Sequence, residues 1–489
     1  MLTGPDFLLV ALLLGALVWM GARCGQGQTD TRDFFLARRS IPGWAAALSF
    51  VATEVSALTI VSVPATAYRE NWQYAQFFIG SALARLVVAS IFIPAFYAHD
   101  CATIYEYLLR RFGPSTQRAA VGLFFVTRLL GSGVRLMVAS LGVSILLGWN
   151  IGATILIFTV VGILYLGAGG IKAAIWGSVL QAVCFIGAGV ASLFYIALQV
   201  EGGFGGIIAI ASAAGRTHLI NWGPALSDPG FVAKTLTDPN IIWLAALNGF
   251  MTSLAAFGTD QDQMQRMLSV STREASARST RSTIFWSGFV VSLFLLLGSA
   301  LFAYYATHPD APLPSTPDKV FPHFAATIMP PLLRGLVLAA IIMASIDSPL
   351  GGLSAAFVTD VYRPLRGGRS ESHYLAVARG AIVGFGIILA GIAYGFHFMD
   401  RHLWLAFKIG GVTFGSLLGV FLLGLLTRRG RDDSNIVAMH LAVGINLMLL
   451  ILSEASVISL AWSWLVILGT GITMTMGAVE FKLRATAGR

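Results

Sequence analysis

Long apolar runs recur along almost the whole of this 489-residue chain. Hydrophobic residues make up 56% of it and charged residues only 11%, and the mean hydropathy of +0.77 is too high for a soluble protein. The runs long enough to cross the roughly 30 Å hydrocarbon core of a bilayer lie at 5–24, 42–68, 72–97, 119–147, 151–168, 173–198, 240–257, 283–305, 329–357, 374–398, 402–427, 436–453 and 457–478. The sequence therefore predicts an all-α polytopic membrane protein with about 13 transmembrane helices.

The Lys and Arg residues between these runs are unevenly distributed. One set of alternate connections holds 21 of them, and the other holds only five: Arg69, Arg216, Lys234, Lys319 and Arg401. Because basic residues accumulate on the cytoplasmic side of a membrane protein, we expect a cell-membrane protein whose N-terminus lies outside and whose C-terminus is cytoplasmic. This bias also accounts for the net charge of +9, so no nucleic-acid partner is needed to explain it.

The patterns of soluble and processed proteins are not found. The opening MLTGPDFLL lacks the basic segment and cleavage site of a signal peptide, so we expect the first run to be retained. Cys24, Cys101 and Cys184 show no metal-ligand spacing, and we expect no disulfide. HExxH, GxSxG and paired-carboxylate patterns are also missing, so we expect a protein that is not an enzyme and has no catalytic residues.

Polar residues interrupt the apolar run at 329–357. Asp347 stands there with Ser345, Ser348 and Pro349. A carboxylate in hydrocarbon costs roughly 2.5–3.5 kcal/mol, which indicates a function. Proline has no N–H for the carbonyl of Ser345, so a free carbonyl lies beside two hydroxyls and a carboxylate. Such oxygen donors at membrane depth suit a small cation.

The order of the runs indicates an internal repeat within a single transmembrane domain, 1–489. After an extra N-terminal helix at 5–24, ten runs divide into two sets of five, at 42–198 and 240–427, and two extra helices follow at 436–478. Because five is odd, the second set would cross the membrane in the opposite sense, giving an inverted repeat.

The first helix of each set is expected to be broken. In the first set the run 52–56, Ala-Thr-Glu-Val-Ser, is polar at mid-depth, and Pro64 follows it. In the second set, the candidates for the break are Asn248, Gly249, Thr252 and Ser253. Irregular backbone at membrane depth is tolerated where it lines a cavity.

Four segments resemble signatures of the sodium/solute symporter family, in the same order and at similar spacing. They are DFFLARRSIPGWAAALSFVATEVSALT, GAGGIKAAIW, GTDQDQMQR and MASIDSPLGGLSAAFVTDVYRP. The resemblance covers nearly all of the chain. It implies a LeuT-type five-plus-five fold and secondary active transport of a small organic solute, driven by co-transported Na⁺.

The resemblance also implies a sodium site. The family's ligands correspond to backbone carbonyls of Ala52 and Val55 and to carbonyl or hydroxyl groups at Ile341, Ala344 and Ser345, although Ala344 stands where the family has a hydroxyl residue. Many members carry aspartate at the position of Ser178. Candidates for a second sodium site are therefore Asp347, Ser348 and Ser178.

The solute pocket implied by the resemblance lies at the broken helices. Its candidate residues are Thr53, Glu54, Ser56, Arg128, Arg135, Asn248 and Ser253. Arg128 and Arg135 are seven residues apart on one helix face, and arginine binds carboxylates through two hydrogen bonds. Alternatively, Glu54 is a partner that only neutralises Arg128 or Arg135. Arg85 and Lys408 are expected to be structural, and Gln265 and Arg266 to tie a cytoplasmic loop to neighbouring helix ends.

Three classes of function follow, of which the first is favoured. It is a sodium-coupled symporter that imports an organic anion, monocarboxylate or sialic-acid-like, by alternating access. A symporter of a neutral sugar or polyol is the alternative if every charge in the pocket is paired. A membrane channel would need a filter-like motif, and none is visible.

Overall fold

The computed structural model describes residues 3–55, 57–225, 227–231, 234–235, 238, 240–313, 319–346, 349–398, 402–458 and 460–479. Their regular structure is helical, and Ile41 and Val270 form an isolated parallel bridge. The helices are α1 Gly4–Cys24, α2 Thr31–Leu36, α3 Gly43–Glu54, α4 Ala57–Arg69, α5 Ala75–Val87, α6 Ile93–Ala98, α7 Tyr105–Arg111, α8 Pro114–Leu147, α9 Ile151–Ala197, α10 Gly203–Ala213, α11 Ile242–Gly258, α12 Gln261–Leu268, α13 Arg273–Thr307, α14 Val320–Thr327, α15 Leu333–Ile346, α16 Leu350–Ala356, α17 Arg363–Leu365, α18 Glu371–Phe396, α19 His402–Leu426, α20 Asp432–Glu454 and α21 Ser463–Ala478.

Eight helices among the described residues are long and apolar enough to cross a membrane, or up to ten if each of two bent helix pairs counts as one span. The count of thirteen therefore stays a prediction. One reason for the difference is α9, which merges the runs predicted at 151–168 and 173–198 into 47 residues. A helix of that length would measure about 70 Å, roughly twice the bilayer core. Gly170 interrupts it with a left-handed φ of +57°.

The first broken helix is α3 followed by α4, which meet at an angle of 62°. Helix α3 ends at Glu54 because Val55 takes an extended conformation, with φ −78° and ψ 100°. The last carbonyls of a helix have no partner within it. The break thus leaves carbonyl oxygens of the 52–55 segment at the predicted position.

The second broken helix is α11 followed by α12, bent by 65°. The break predicted among residues 248–253 is wrong, because those residues lie inside α11. The chain breaks instead at Thr259 and Asp260, where the Asp260 side chain accepts hydrogen bonds from the amides of Asp262 and Gln263 and so begins α12.

Gly80 and Gly249 allow α5 and α11 to pack closely against each other. A Cβ on Gly80 of α5 would lie 1.8 Å from the carbonyl oxygen of Ala246, and a Cβ on Gly249 would lie 2.1 Å from that of Phe77. The two helices therefore touch backbone to backbone, as in close-packed membrane helix pairs. The glycine serves this contact and not a break.

Candidate sodium and solute sites

The candidate sodium residues lie near the ends of two helices. Ala52 and Val55, at the end of α3, share one buried cluster with Ile341 and Ala344, near the end of α15. The backbone of Ser345 belongs to the last turn of α15, which ends at Ile346, and the next helix starts after Pro349. A helix C-terminus carries partial negative charge, so two such ends favour a cation. Asp347, Ser348 and Ser56 lie outside the described residues.

Ser178, the other candidate for a second sodium, is held by a guanidinium. Its hydroxyl lies 2.9 Å from Arg266 Nη1 and donates to the carbonyl of Ala174 at 2.8 Å. Arg266 is 1% exposed and also donates to the hydroxyl of Ser49. A sodium ion at this hydroxyl would stand beside a positive charge, so this conformation disfavours sodium there. Arg266 joins α12 to α3 and α9, while Gln265 Nε2 donates to the carbonyl of Phe35.

Glu54 is paired with Arg85, and not with Arg128 or Arg135. The Arg85 side chain is fully buried and that of Glu54 is 27% exposed. The same guanidinium lies 3.0 Å from the Ser287 hydroxyl, 3.1 Å from that of Thr283 and 4.5 Å from the ring centre of Phe257. Ser287 also donates to Glu54, at 2.8 Å. Arg85 therefore has a structural role, as expected, and balances the charge of Glu54 beside the first break.

Arg128 is engaged by two carboxylates at the second break. It forms an ion pair with Asp262, and its Nη1 lies 3.4 Å from Asp260 Oδ2. Asp262 also faces Arg266 at 3.7 Å. In the described conformation Arg128 therefore closes α8 onto the start of α12.

Arg135 differs from Arg128 in being exposed. It lies on α8 about 18 Å along the helix axis from Leu147. Charged side chains within membrane spans pair with other groups or face a water-filled cavity. Arg135 is therefore a candidate for contact with a solute.

Three further predicted solute residues form hydrogen bonds within the protein. The hydroxyl of Thr53 donates to the carbonyl of Ser49 at 2.9 Å. Asn248 Oδ1 accepts from Thr252 at 2.9 Å, and Ser253 donates to Ser81 of α5 at 2.7 Å. Thr53, Asn248 and Ser253 are each 4% exposed. The bonds of Thr53 and Asn248 lie within their own helices, whereas Ser253 joins α11 to α5 and to the polar cluster around Arg85.

Asp260 and Asp262 are not among the site residues predicted from the sequence, although the segment GTDQDQMQR contains both. Their signal is the spacing Asp-Gln-Asp-Gln after Gly258, in which the first aspartate can cap a helix and the second lies in its first turn. Lys408 forms its ion pair with Glu454 at 2.6 Å, as a structural role requires. In the described part of the chain, no group of three His, Cys, Asp or Glu side chains could hold a metal.

Helices broken at membrane depth, with buried charges at each break, define a class of protein: a multi-pass membrane transporter. The model of the sodium:solute symporter family matches residues 34–441. The chain belongs to the sodium:solute symporter family. It is a sodium-coupled symporter of a small organic solute, with Na⁺ as the co-transported ion, and not an enzyme.

Known proteins agree with this assignment. The chain is 30% identical to a sodium-dependent multivitamin transporter of Oryctolagus cuniculus over 86% of its own length and 66% of that protein's. It is 27% identical to a sodium/sialic acid symporter of Aliivibrio fischeri, over 89% and 85% of the two chains. A solved substrate-bound, outward-open structure of a Na⁺-coupled sialic acid symporter has a TM-score of 0.86 at 24% identity, covering 98% and 97% of the chains. The predicted LeuT-type fold is confirmed.

Proposed function

We propose that this symporter imports a small organic anion together with sodium by alternating access. The observation that carries the proposal is Arg135, an exposed guanidinium on a membrane-spanning helix. Guanidinium groups recognise carboxylates through paired, charge-assisted hydrogen bonds. The similarity to a sialic acid symporter supports the same class of solute.

The charges at the two helix breaks are paired within the protein. Glu54 is balanced by Arg85, and Arg128 by Asp260 and Asp262. Glu54 therefore does not neutralise an arginine of α8. Among Arg85, Arg128 and Arg135, the exposed side chain is that of Arg135.

A neutral sugar or polyol is the second candidate, and it is favoured by Glu54 itself. The side chain is partly exposed, and its Oε2 atom already accepts from Arg85 and Ser287. The remaining oxygen, Oε1, could accept from a solute hydroxyl. Solute competition distinguishes the two candidates.

The sodium site that we propose uses carbonyls of Ala52 and Val55 together with groups of Ile341, Ala344 and Ser345. Its support is the shared buried cluster at two helix C-termini. A second ion would use Asp347 or Ser348, because Ser178 is held by Arg266. Within one domain we propose inverted repeats at 42–198 and 240–427, with the N-terminus outside and the C-terminus cytoplasmic.

The experiment is uptake into proteoliposomes with and without a sodium gradient, using monocarboxylates, sialic acids, sugars and amino acids. Arg135→Gln should abolish uptake of the anion, and Arg135→Lys should retain part of it. The matched control is Arg118→Gln, which removes an exposed arginine near the start of the same helix. If a neutral solute alone were accumulated, or if Arg135→Gln left anion affinity unchanged, the anion proposal would be wrong.

A further inference from the structure

A carboxylate of α1 is wholly buried against the start of α15. Asp6 is 0% exposed. Its Oδ1 accepts from the amides of Leu332 and Gly335 at 3.0 and 3.1 Å, and its Oδ2 accepts from Arg334 Nε and Nη2 at 3.0 and 2.6 Å. The amide and hydroxyl of Thr3 donate to Oδ2 as well. Since the first amides of a helix have no partner within it, Asp6 caps α15 from another helix.

The backbone around this contact is shaped to admit the carboxylate. Leu332 has a left-handed φ of +69°, a conformation in which a leucine is strained. A Cβ on Gly335 would lie 2.9 Å from Asp6 Cα, so a larger residue there would push α1 away. The contact of Asp6 with the start of α15 therefore depends on the left-handed backbone at Leu332 and on the glycine at position 335.

Helix α1 also packs near α15 at a second place, next to the proposed sodium site. Leu17 is 0% exposed and shares a small buried cluster with Cys184 and Met343. Met343 directly precedes Ala344. On its other side α1 lies close to α9, because a Cβ on Gly21 or Gly25 would come within 2.6 Å of backbone atoms of Tyr165 or Ala168.

We propose that Asp6 and Arg334 are positioning residues for sodium, which act through α15. This inference rests on the proposed sodium site. Helix α15 has 14 residues, and the site lies in its last turns. Backbone hydrogen bonds link the successive turns of a helix, so the axial position of α15, set at Leu332 and Gly335 by Asp6, is transmitted to Ile341, Ala344 and Ser345. Removal of groups that orient metal ligands typically lowers metal affinity roughly 10–100-fold, and Asp6 would orient the ligands through α15.

The test is direct binding of ²²Na⁺ to the purified full-length chain without solute, with uptake measured in parallel. Asp6→Asn keeps an oxygen for the two amides but loses the charge that holds Arg334. We expect the sodium concentration for half-maximal binding to rise about tenfold, while solute KM at saturating sodium stays unchanged. Arg334→Lys, which keeps the charge and loses the paired geometry, should give a smaller rise. Asp228→Asn, at an ion pair with Lys234 in a loop, is the control.

Ser345→Ala, measured beside these variants, separates the two ideas. If Ser345→Ala weakens sodium binding and both clamp variants, Asp6→Asn and Arg334→Lys, leave it unchanged, the positioning role is refuted and the sodium site stands. If none of the three changes sodium binding, the sodium site itself is wrong. If Asp6→Asn fails to fold, Arg334→Lys decides alone. An equal loss of sodium and solute affinity would indicate a purely structural contact and would refute the proposal.

Discussion

Removal of either partner of the Glu54–Arg85 pair should have unequal effects. Glu54→Gln leaves a fully buried guanidinium with neutral acceptors, namely the hydroxyls of Thr283 and Ser287 and groups of Ser81. Breaking a buried ion pair costs roughly 3–5 kcal/mol. Because glutamine still offers one acceptor, we expect a loss of about 3–4 kcal/mol in stability.

Arg85→Met should cost less, about 2–3 kcal/mol. The carboxylate left behind is about a quarter exposed and keeps the Ser287 hydroxyl at 2.8 Å. The neighbouring hydroxyls also keep partners, since Ser81 accepts from Ser253 and Thr283 donates to the carbonyl of Thr280. The loss includes about 1 kcal/mol from the contact with the Phe257 ring.

The assay is the thermal unfolding midpoint of purified protein, for both single variants and for Glu54→Gln with Arg85→Met. The double variant should lose at least about 2 kcal/mol less than the sum of the single losses, because neither charge is left alone. Arg69→Met is the control, since the Arg69–Glu70 pair is exposed and should contribute about 0.5 kcal/mol or less. Additive losses, or a larger loss for Arg85→Met than for Glu54→Gln, would refute this account of the pair.

Three further outcomes are expected. Gly80→Ala should lower the thermal midpoint strongly, because its Cβ would lie 1.8 Å from a carbonyl oxygen of α11. The control Gly122→Ala has nothing within 4 Å of its Cβ and should leave the midpoint unchanged or raise it slightly. Equal effects of the two variants would contradict the close packing of α5 on α11. Burial raises the pKa of Asp360, which follows α16, well above its usual range. The folded chain therefore holds a proton on this carboxyl group, and its stability should fall as pH rises from about 4 towards the raised pKa. Asp360→Asn should flatten this fall, and an unchanged slope would exclude Asp360 as its cause. Arg128→Gln should release Asp260 and Asp262 and increase labelling of Gln263→Cys by a thiol reagent. Unchanged labelling would argue against closure by this ion pair.

Two of the predicted apolar runs match single helices closely. The run predicted at 402–427 is α19, 402–426, and the one predicted at 240–257 is α11, 242–258. The second break was misplaced because polar residues inside an apolar run have two physical causes. Asn248 is bonded within α11 and Ser253 bonds across to α5, while Asp260 caps a new helix. Hydropathy does not distinguish these causes, whereas capping spacing does.

Charge partners were the least predictable part of the site. The sequence leaves Glu54 as a candidate partner for the arginines of α8, but its partner is Arg85 of α5. The position of a charge along a helix gives its depth in the membrane, and not which neighbouring helix it faces. That choice depends on helix packing, which here includes the close approach of α5 and α11 through Gly80 and Gly249.

Transport energetics connect the proposed anion to the number of sodium ions. One sodium moving down a tenfold gradient releases about 1.4 kcal/mol, and each net positive charge carried inward across 100 mV adds about 2.3 kcal/mol. A monoanion carried with one sodium gains nothing from voltage and could be concentrated only about tenfold. If Arg135 binds a carboxylate, we therefore expect at least two sodium ions and electrogenic transport. Since Arg266 occupies the neighbourhood of Ser178, the second ion should depend on Asp347 or Ser348, and Asp347→Asn should lower the sodium-to-solute ratio. Reversal potentials in proteoliposomes measure that ratio, and a one-to-one value with an anionic solute would overturn this expectation.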